Sequence, residues 1–261
     1  MTTTHIAILL AIVLLFGLLY RWIFKKRPPK RLPFSNDWRS ILEKKVKYYQ
    51  RLDASEKKRF EQSVARFLQR VSITGVEVEV DDTDRMLVAA SAVIPLFGFP
   101  NWEYRNINEV LLYKTSFSHD HRTEGKDRHI SGMVGEGRMN RLMILSKPAL
   151  YLGFSQQAGP NNVGIHEFVH LLDKADGIID GIPENLLSQQ YTIPWIKMIR
   201  EEMEEIVEGD SIIRPYGAAN EAEFLSVVSE YFFNQPKKLE RKHPELYELL
   251  ERIFQQDPAE L

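Results

Sequence analysis

No cysteine occurs anywhere in the 261 residues of the chain. Disulfide staples, thiol nucleophiles and thiolate-held metals are therefore excluded, and any transition metal must be held by imidazoles and carboxylates. The absence also suits a reducing compartment. An excess of charge is equally lacking: 34 Lys and Arg face 36 Asp and Glu, for a net charge of -2 and a pI of about 6.4. With no basic excess to meet phosphates, direct nucleic-acid binding is not expected. Long hydrophobic runs are scarce too, with one exception at the N-terminus, although 44% hydrophobic residues suffice for a sizeable core.

That exception runs from Ile6 to Phe24, broken late by Arg21. As a helix at about 1.5 Å per residue it would extend about 28 Å, close to the apolar thickness of a bilayer. Lys25, Lys26, Arg27, Lys30 and Arg31 follow it, whereas the first five residues carry no Lys or Arg. Bulky Tyr20, Trp22 and Phe24 stand where a cleavable signal needs small side chains. The expectation is an uncleaved, single-pass transmembrane helix over residues 1–24, a basic, proline-containing linker over 25–34, and a folded domain over 35–261. The positive-inside rule places that domain on the cytoplasmic side of the cell inner membrane.

Within the domain, Asp37 to Tyr49 reads as a helix, and Asp53-Ala54-Ser55-Glu56 resembles a capping box opening a second helix through Phe67. The alternation from Val76 to Val80 predicts a strand over Ile73 to Val80. Asp81, Asp82 and Thr83 can cap a helix to about Leu96, and Val110 to Tyr113 is a strand. Ser118 to Gly137 reads as an exposed hairpin or loop. Its His119, His121 and His129 fit scattered surface histidines, which are far commoner than ligands. Arg141 to Ser146 is a further strand, expected to offer an open edge to an extended peptide. Pro194 to Val207 is a helix with Trp195, Ile199, Met203 and Ile206 on its apolar side. Most of its glutamates, Glu201, Glu202, Glu204, Glu205 and Glu208, are expected to face water. The fold class is α+β, mostly helical with a small sheet.

The stretch that carries chemistry is Gly164-Ile165-His166-Glu167-Phe168-Val169-His170-Leu171-Leu172-Asp173. On a helix, His166 and His170 project from one face and reach a single ion. Glu167 lies about 100° round, where it can approach an activated water without ligating. Asn162 is a good N-cap type, and Ile165, Phe168, Val169 and Leu172 supply an apolar stripe. Two imidazoles and a carboxylate on so apolar a helix are costly to bury without an ion or partners. The layout is that of a zinc hydrolase. Such sites use a third protein ligand, leaving one position for water. Downstream, Asn220 can cap a helix that carries Glu221, Glu223 and Glu230, all candidates, with Glu223 equally placed to be a capping-box glutamate.

His166 to Asp173, Gly181-Ile182-Pro183, Tyr216-Gly217-Ala218-Ala219, and Glu221-Ala222-Glu223-Phe224 through Ser229-Glu230-Tyr231-Phe232-Phe233 together resemble the Mlc titration factor A (MtfA) family of zinc-dependent peptidases. Pro95-Leu96-Phe97-Gly98 and Asn162-Val163 extend the resemblance over most of the domain. It implies a gluzincin-like metallopeptidase fold, Zn2+ on His166, His170 and Glu223, and Glu167 as catalytic base. Tyr216 becomes a candidate for stabilising an oxyanion, and Glu230 a second-layer or structural residue. Val169, Glu221 and Ser146-Lys147 depart from the family pattern without removing a ligand or the base. The family's best-known members are soluble, whereas this chain adds an anchor. The expected function is a membrane-anchored zinc peptidase, aminopeptidase-like or internal in its cleavage, acting on a peptide or protein substrate and linked to control of sugar uptake. The rival reading is a regulatory module that sequesters a transcriptional repressor with little or no proteolysis.

Overall fold

The computed structural model describes residues 34–118, 122–123, 129–135 and 137–261. The expected transmembrane segment, nearly all of the linker, His119 and His121 lie outside these residues. Among the described residues no helix is long and apolar enough to cross a membrane.

The helices are α1 (Asn36–Lys45), α2 (Lys47–Arg51), α3 (Ala54–Arg70), α4 (Asp82–Leu96), α5 (Lys147–Gly153), α6 (Val163–Asp173), α7 (Gln189–Glu208), α8 (Glu221–Asn234), α9 (Pro236–Lys242) and α10 (Pro244–Phe254). Among the described residues four strands, β1 (Ser72–Val76), β2 (Glu109–Tyr113), β3 (Gly132–Val134) and β4 (Leu142–Ser146), form one sheet in the order β1-β2-β4-β3. The first two pairings are parallel and β3 runs antiparallel to β4. The domain is thus mostly helical with a small mixed sheet.

Helix α4 is the packing centre. Asp81 and Asp84 close a capping box at its start, and every residue from Met86 to Leu96 is buried, as expected of a helix that is apolar all round. Against it lies α6, buried from Gly164 to Asp173 and started by Asn162, whose side chain accepts the Ile165 N–H at 3.1 Å. The two helices approach closely because Gly164 has no side chain: a Cβ there would lie 2.1 Å from Ser91 Oγ. On the other side α6 meets α8, capped by Asn220 through the Glu223 N–H. Gly181 secures the exit from α6. Its N–H donates to Asp173 Oδ2 at 2.8 Å, its carbonyl accepts from Trp195 Nε1 at 2.7 Å, and its φ of +78° suits glycine. A Cβ on Gly181 would meet the Glu221 carbonyl at 2.3 Å, so the turn also abuts the start of α8.

Several expectations change on contact with the tertiary structure. The first helix divides at Val46, whose extended backbone separates α1 from α2. Strand β1 stops at Val76, because Glu77 takes positive φ and the chain folds back, bringing the Val78 carbonyl against Gly75. The Val and Glu alternation persists there as inward and outward turns of a loop. Helix α7 starts at Gln189, five residues before Pro194, which its early turns accommodate. Strand β4 is not an edge: β2 and β3 flank it, and the edge belongs to β3, inside the stretch read as an exposed hairpin or loop. Three residues with glycine at their head, hydrogen-bonded only on one side, leave little periodicity to read.

Replacing Gly164 with alanine should force α4 and α6 apart and cost about 1–3 kcal/mol, as overpacking of a close core contact does. A denaturant midpoint equal to the parent's would show that the contact yields freely.

Candidate metal centre

Helix α6 sets His166 and His170 one turn apart with ring centroids 4.8 Å from each other, edge to face. Helix α8 brings Glu223 opposite both. Glu223 Oε2 is 3.0 Å from His166 Nε2, and Oε1 is 3.5 Å from His170 Nε2. One ligand atom from each of the three lies within 4.8 Å of the other two. Glu223 therefore uses its backbone N–H for the cap and turns its side chain away from the cap. Glu221, its exposed neighbour, lines the cleft beside the centre.

The donor chemistry fits a divalent ion. Glu223 Oε2 is buried and accepts no aligned hydrogen bond. Both imidazoles are engaged through the other nitrogen: His166 Nδ1 donates to Glu230 Oε1 at 2.8 Å, and His170 Nδ1 is 3.1 Å from Ser226 Oγ. In each ring Nε2 is the nitrogen left to face Glu223, that of His166 towards Oε2 and that of His170 towards Oε1. Metal-binding histidines are oriented in this way. Among the described residues, exposed His129 joins no such cluster.

Glu230 is the anchor of the arrangement. It is 1% exposed, and besides His166 it receives the Asn162 backbone N–H and the Arg214 guanidinium. Burial alone would push its carboxyl up, but His166, Arg214 and Asn162 reverse this and hold it below the usual carboxylate range. The same residue thus fixes the tautomer of His166 and the N-cap of α6. Ser226 and Arg214 escape the sequence reading. Ser226 could have been found from its spacing, since Ser226 and Glu230 lie three and seven residues after Glu223 on one helical face. Arg214, before the turn, gives no such signal.

Burial opposes a proton on His166, yet the facing carboxylates of Glu223 and Glu230 outweigh it and raise the imidazole to about 10. For Glu223 burial likewise works against ionisation, but the two histidines prevail and its carboxyl is lowered. Glu167 is different. It is 5% exposed, and burial pushes its carboxyl up against the pull of His166 and His170. The backbone of β3 passes directly beside it: a Cβ on Gly132 would lie 2.5 Å from Glu167 Oε1.

Tyr216 stands in a 3-10 turn, Pro215–Ala218, at the rim. Its ring stacks on His166 with centroids 6.1 Å apart and 28° between planes, and half of the residue remains exposed. Burial, followed by Glu223, pushes its phenol up to about 12, so the hydroxyl keeps its proton at neutral pH. These groups face an open cleft of about 920 Å³ walled by Ile130, β3, Ile179, Ile182, Ile196 and Arg200.

A sequence model of the family described as glucose-regulated metallo-peptidase M90 matches residues 20–255. Among curated proteins, the uncharacterized protein slr2042 of Synechocystis sp. is 24% identical over 98% of each chain. Mlc titration factor A of Klebsiella pneumoniae is 26% identical over 80% of this chain and 82% of its own. The protein of the same name from Serratia proteamaculans is 24% identical over 91% and 93%.

Glu230→Gln keeps the shape but gives up the charge that orients His166. Metal affinity, measured by competition with a chromophoric chelator, should fall about 10- to 100-fold. Unchanged affinity in a folded variant would leave Glu230 a purely structural residue.

Proposed function

The chain belongs to the glucose-regulated M90 metallopeptidase family, and from that premise we propose that it hydrolyses peptide bonds at a zinc ion held by His166, His170 and Glu223, with Glu167 as general base. The observation that carries the reading is that the Nε2 atoms of His166 and His170 face the two oxygens of one Glu223 carboxylate, Oε2 of which is buried and unpaired, beside a buried Glu167. Two histidines on α6 and a glutamate on α8 form a gluzincin-like set, and nitrogen and oxygen donors in this number suit Zn2+. When bound, the ion supplies Lewis-acid polarisation of the scissile carbonyl and acidifies a water.

The chain's own groups do the rest. Glu167, made more basic by burial, takes a proton from the attacking water as the new C–O bond forms. It then delivers that proton to the amide nitrogen as the C–N bond breaks, leaving a carboxylate and an amine. Tyr216, protonated at neutral pH, donates to the oxygen on which negative charge develops. Strand β3 sits at the sheet edge beside Glu167, and its backbone gives an extended substrate a strand to pair with. Asp180 and Glu221 on the cleft wall provide anionic partners for a free α-amino group, which supports aminopeptidase action.

The apolar segment from Ile6 to Phe24, with its basic flank, tethers this domain to the cytoplasmic face of the inner membrane. The relatives named Mlc titration factor A support a second role, that of titrating a partner, for which the family resemblance implies a transcriptional repressor of sugar uptake. Zinc-dependent cleavage of model peptides supports the enzyme, whereas tight repressor binding without cleavage supports a sequestering module.

Glu167→Gln should retain zinc and lose turnover by about 10²-fold or more, while His166→Ala should lose both. Parent-like hydrolysis by purified Glu167→Gln rejects the assignment of the base. Gly132→Ala should likewise keep zinc but displace the Glu167 carboxylate, lowering kcat on a model peptide. If metal content falls instead, β3 supports the ligands more than the base.

A further inference from the structure

On the second half of α7, Glu201, Glu204, Glu205 and Glu208 face water, as helical spacing requires. Glu202 does not. It is 7% exposed and plays no part in the chemistry described above. It faces His243, 8% exposed, the residue at which α9 gives way to α10. His243 Nδ1 is 3.0 Å from Glu202 Oε1 and 2.9 Å from Oε2. A single ring N–H cannot satisfy both oxygens, and Oε2 is left buried with no aligned donor. On the far side of the ring, Ser211 Oγ lies 3.4 Å from Nε2. Nδ1–H donates to Oε1; a cation that takes the place of this proton meets the Nδ1 lone pair and Oε2 together, while Ser211 Oγ holds the ring at Nε2.

Glu205, three residues on from Glu202, brings a second carboxylate to the same place, and one ligand atom from each of Glu202, Glu205 and His243 lies within 4.8 Å of the others. The signature repeats that of the catalytic centre: a buried carboxylate oxygen beside an imidazole nitrogen, with no proton aligned to it. In front lies an open cleft of about 550 Å³, where Glu201, Glu204, Glu208 and Glu245 stand against Lys242. The field there favours cations, and the opening leaves room for water.

We propose that Glu202, Glu205 and His243 form a second site for a divalent transition ion such as Zn2+, with water completing its coordination. The ion joins the second half of α7 to the corner between α9 and α10. Ile196, Ile199 and Arg200, on the preceding turns of α7, line the catalytic cleft, so the site braces that wall from behind.

The test is a metal count on the purified full chain, stripped with a chelator, reloaded with zinc in excess magnesium and desalted. Two zinc ions per chain are expected in the parent, and one in each of Glu205→Gln, His243→Gln and His166→Ala. Combining His166→Ala with Glu205→Gln should leave none. Glu205 is exposed, so its substitution does not threaten folding. A parent that holds one ion, lost with His166→Ala and kept in Glu205→Gln, overturns this site and leaves the peptidase centre standing. Two ions that both survive Glu205→Gln and His243→Gln overturn it as well. One ion lost in Glu205→Gln but kept in His166→Ala supports this site and removes the basis of the peptidase reading.

Discussion

The carboxylate of Glu230, sealed from solvent, receives a ring N–H from His166, the guanidinium of Arg214 and the backbone N–H of Asn162. Those three partners come from the body of α6, the segment before the 3-10 turn that bears Tyr216, and the cap that starts α6. Three parts of the centre are thus referred to one buried charge carried by a fourth, α8. Removing one partner of such a network costs roughly 3–5 kcal/mol, because the remaining charge stays buried and unmatched. The rest of the centre is comparatively simple, since α8 carries Glu223, Ser226 and Glu230 along one side and needs only to be docked once.

That docking depends on glycines at contact points. Gly164 lets α6 approach α4, and Gly181 lets the exit of α6 meet the first residue of α8. Gly132 lets the sheet edge run beside Glu167. At each of them a methyl group would collide with a group that belongs to the centre or to its immediate support. Tight packing of this kind is what keeps Glu167 dry, and its dryness is what raises its carboxyl.

Much of the centre was legible in the linear chain because helical periodicity is local. The spacing of His166 and His170, the cap at Asn162 and the cap at Asn220 all follow from neighbours within one turn, and the structure places them as expected. The choice among Glu221, Glu223 and Glu230 was not legible from spacing alone, because it depends on how α8 is rotated against α6. Resemblance was needed to single out Glu223. The edge strand was missed for a different reason: β3 has three residues, and its pairing partner is set by the hairpin that folds it back on β4. Glu202 was hidden among glutamates that do face water, and only the corner at His243, forty-one positions later, buries it.

The sequence distance between the donors bears on how the protein comes into being. Both imidazoles leave the ribosome well before Glu223, and Glu230 emerges later still. A nascent chain halted between them has Glu167 and two of the three proposed ligands but no Glu223 carboxylate to complete the set. On the proposed reading, hydrolytic competence waits until almost the whole domain has been synthesised, which would protect a growing polypeptide, and its neighbours on the polysome, from premature digestion.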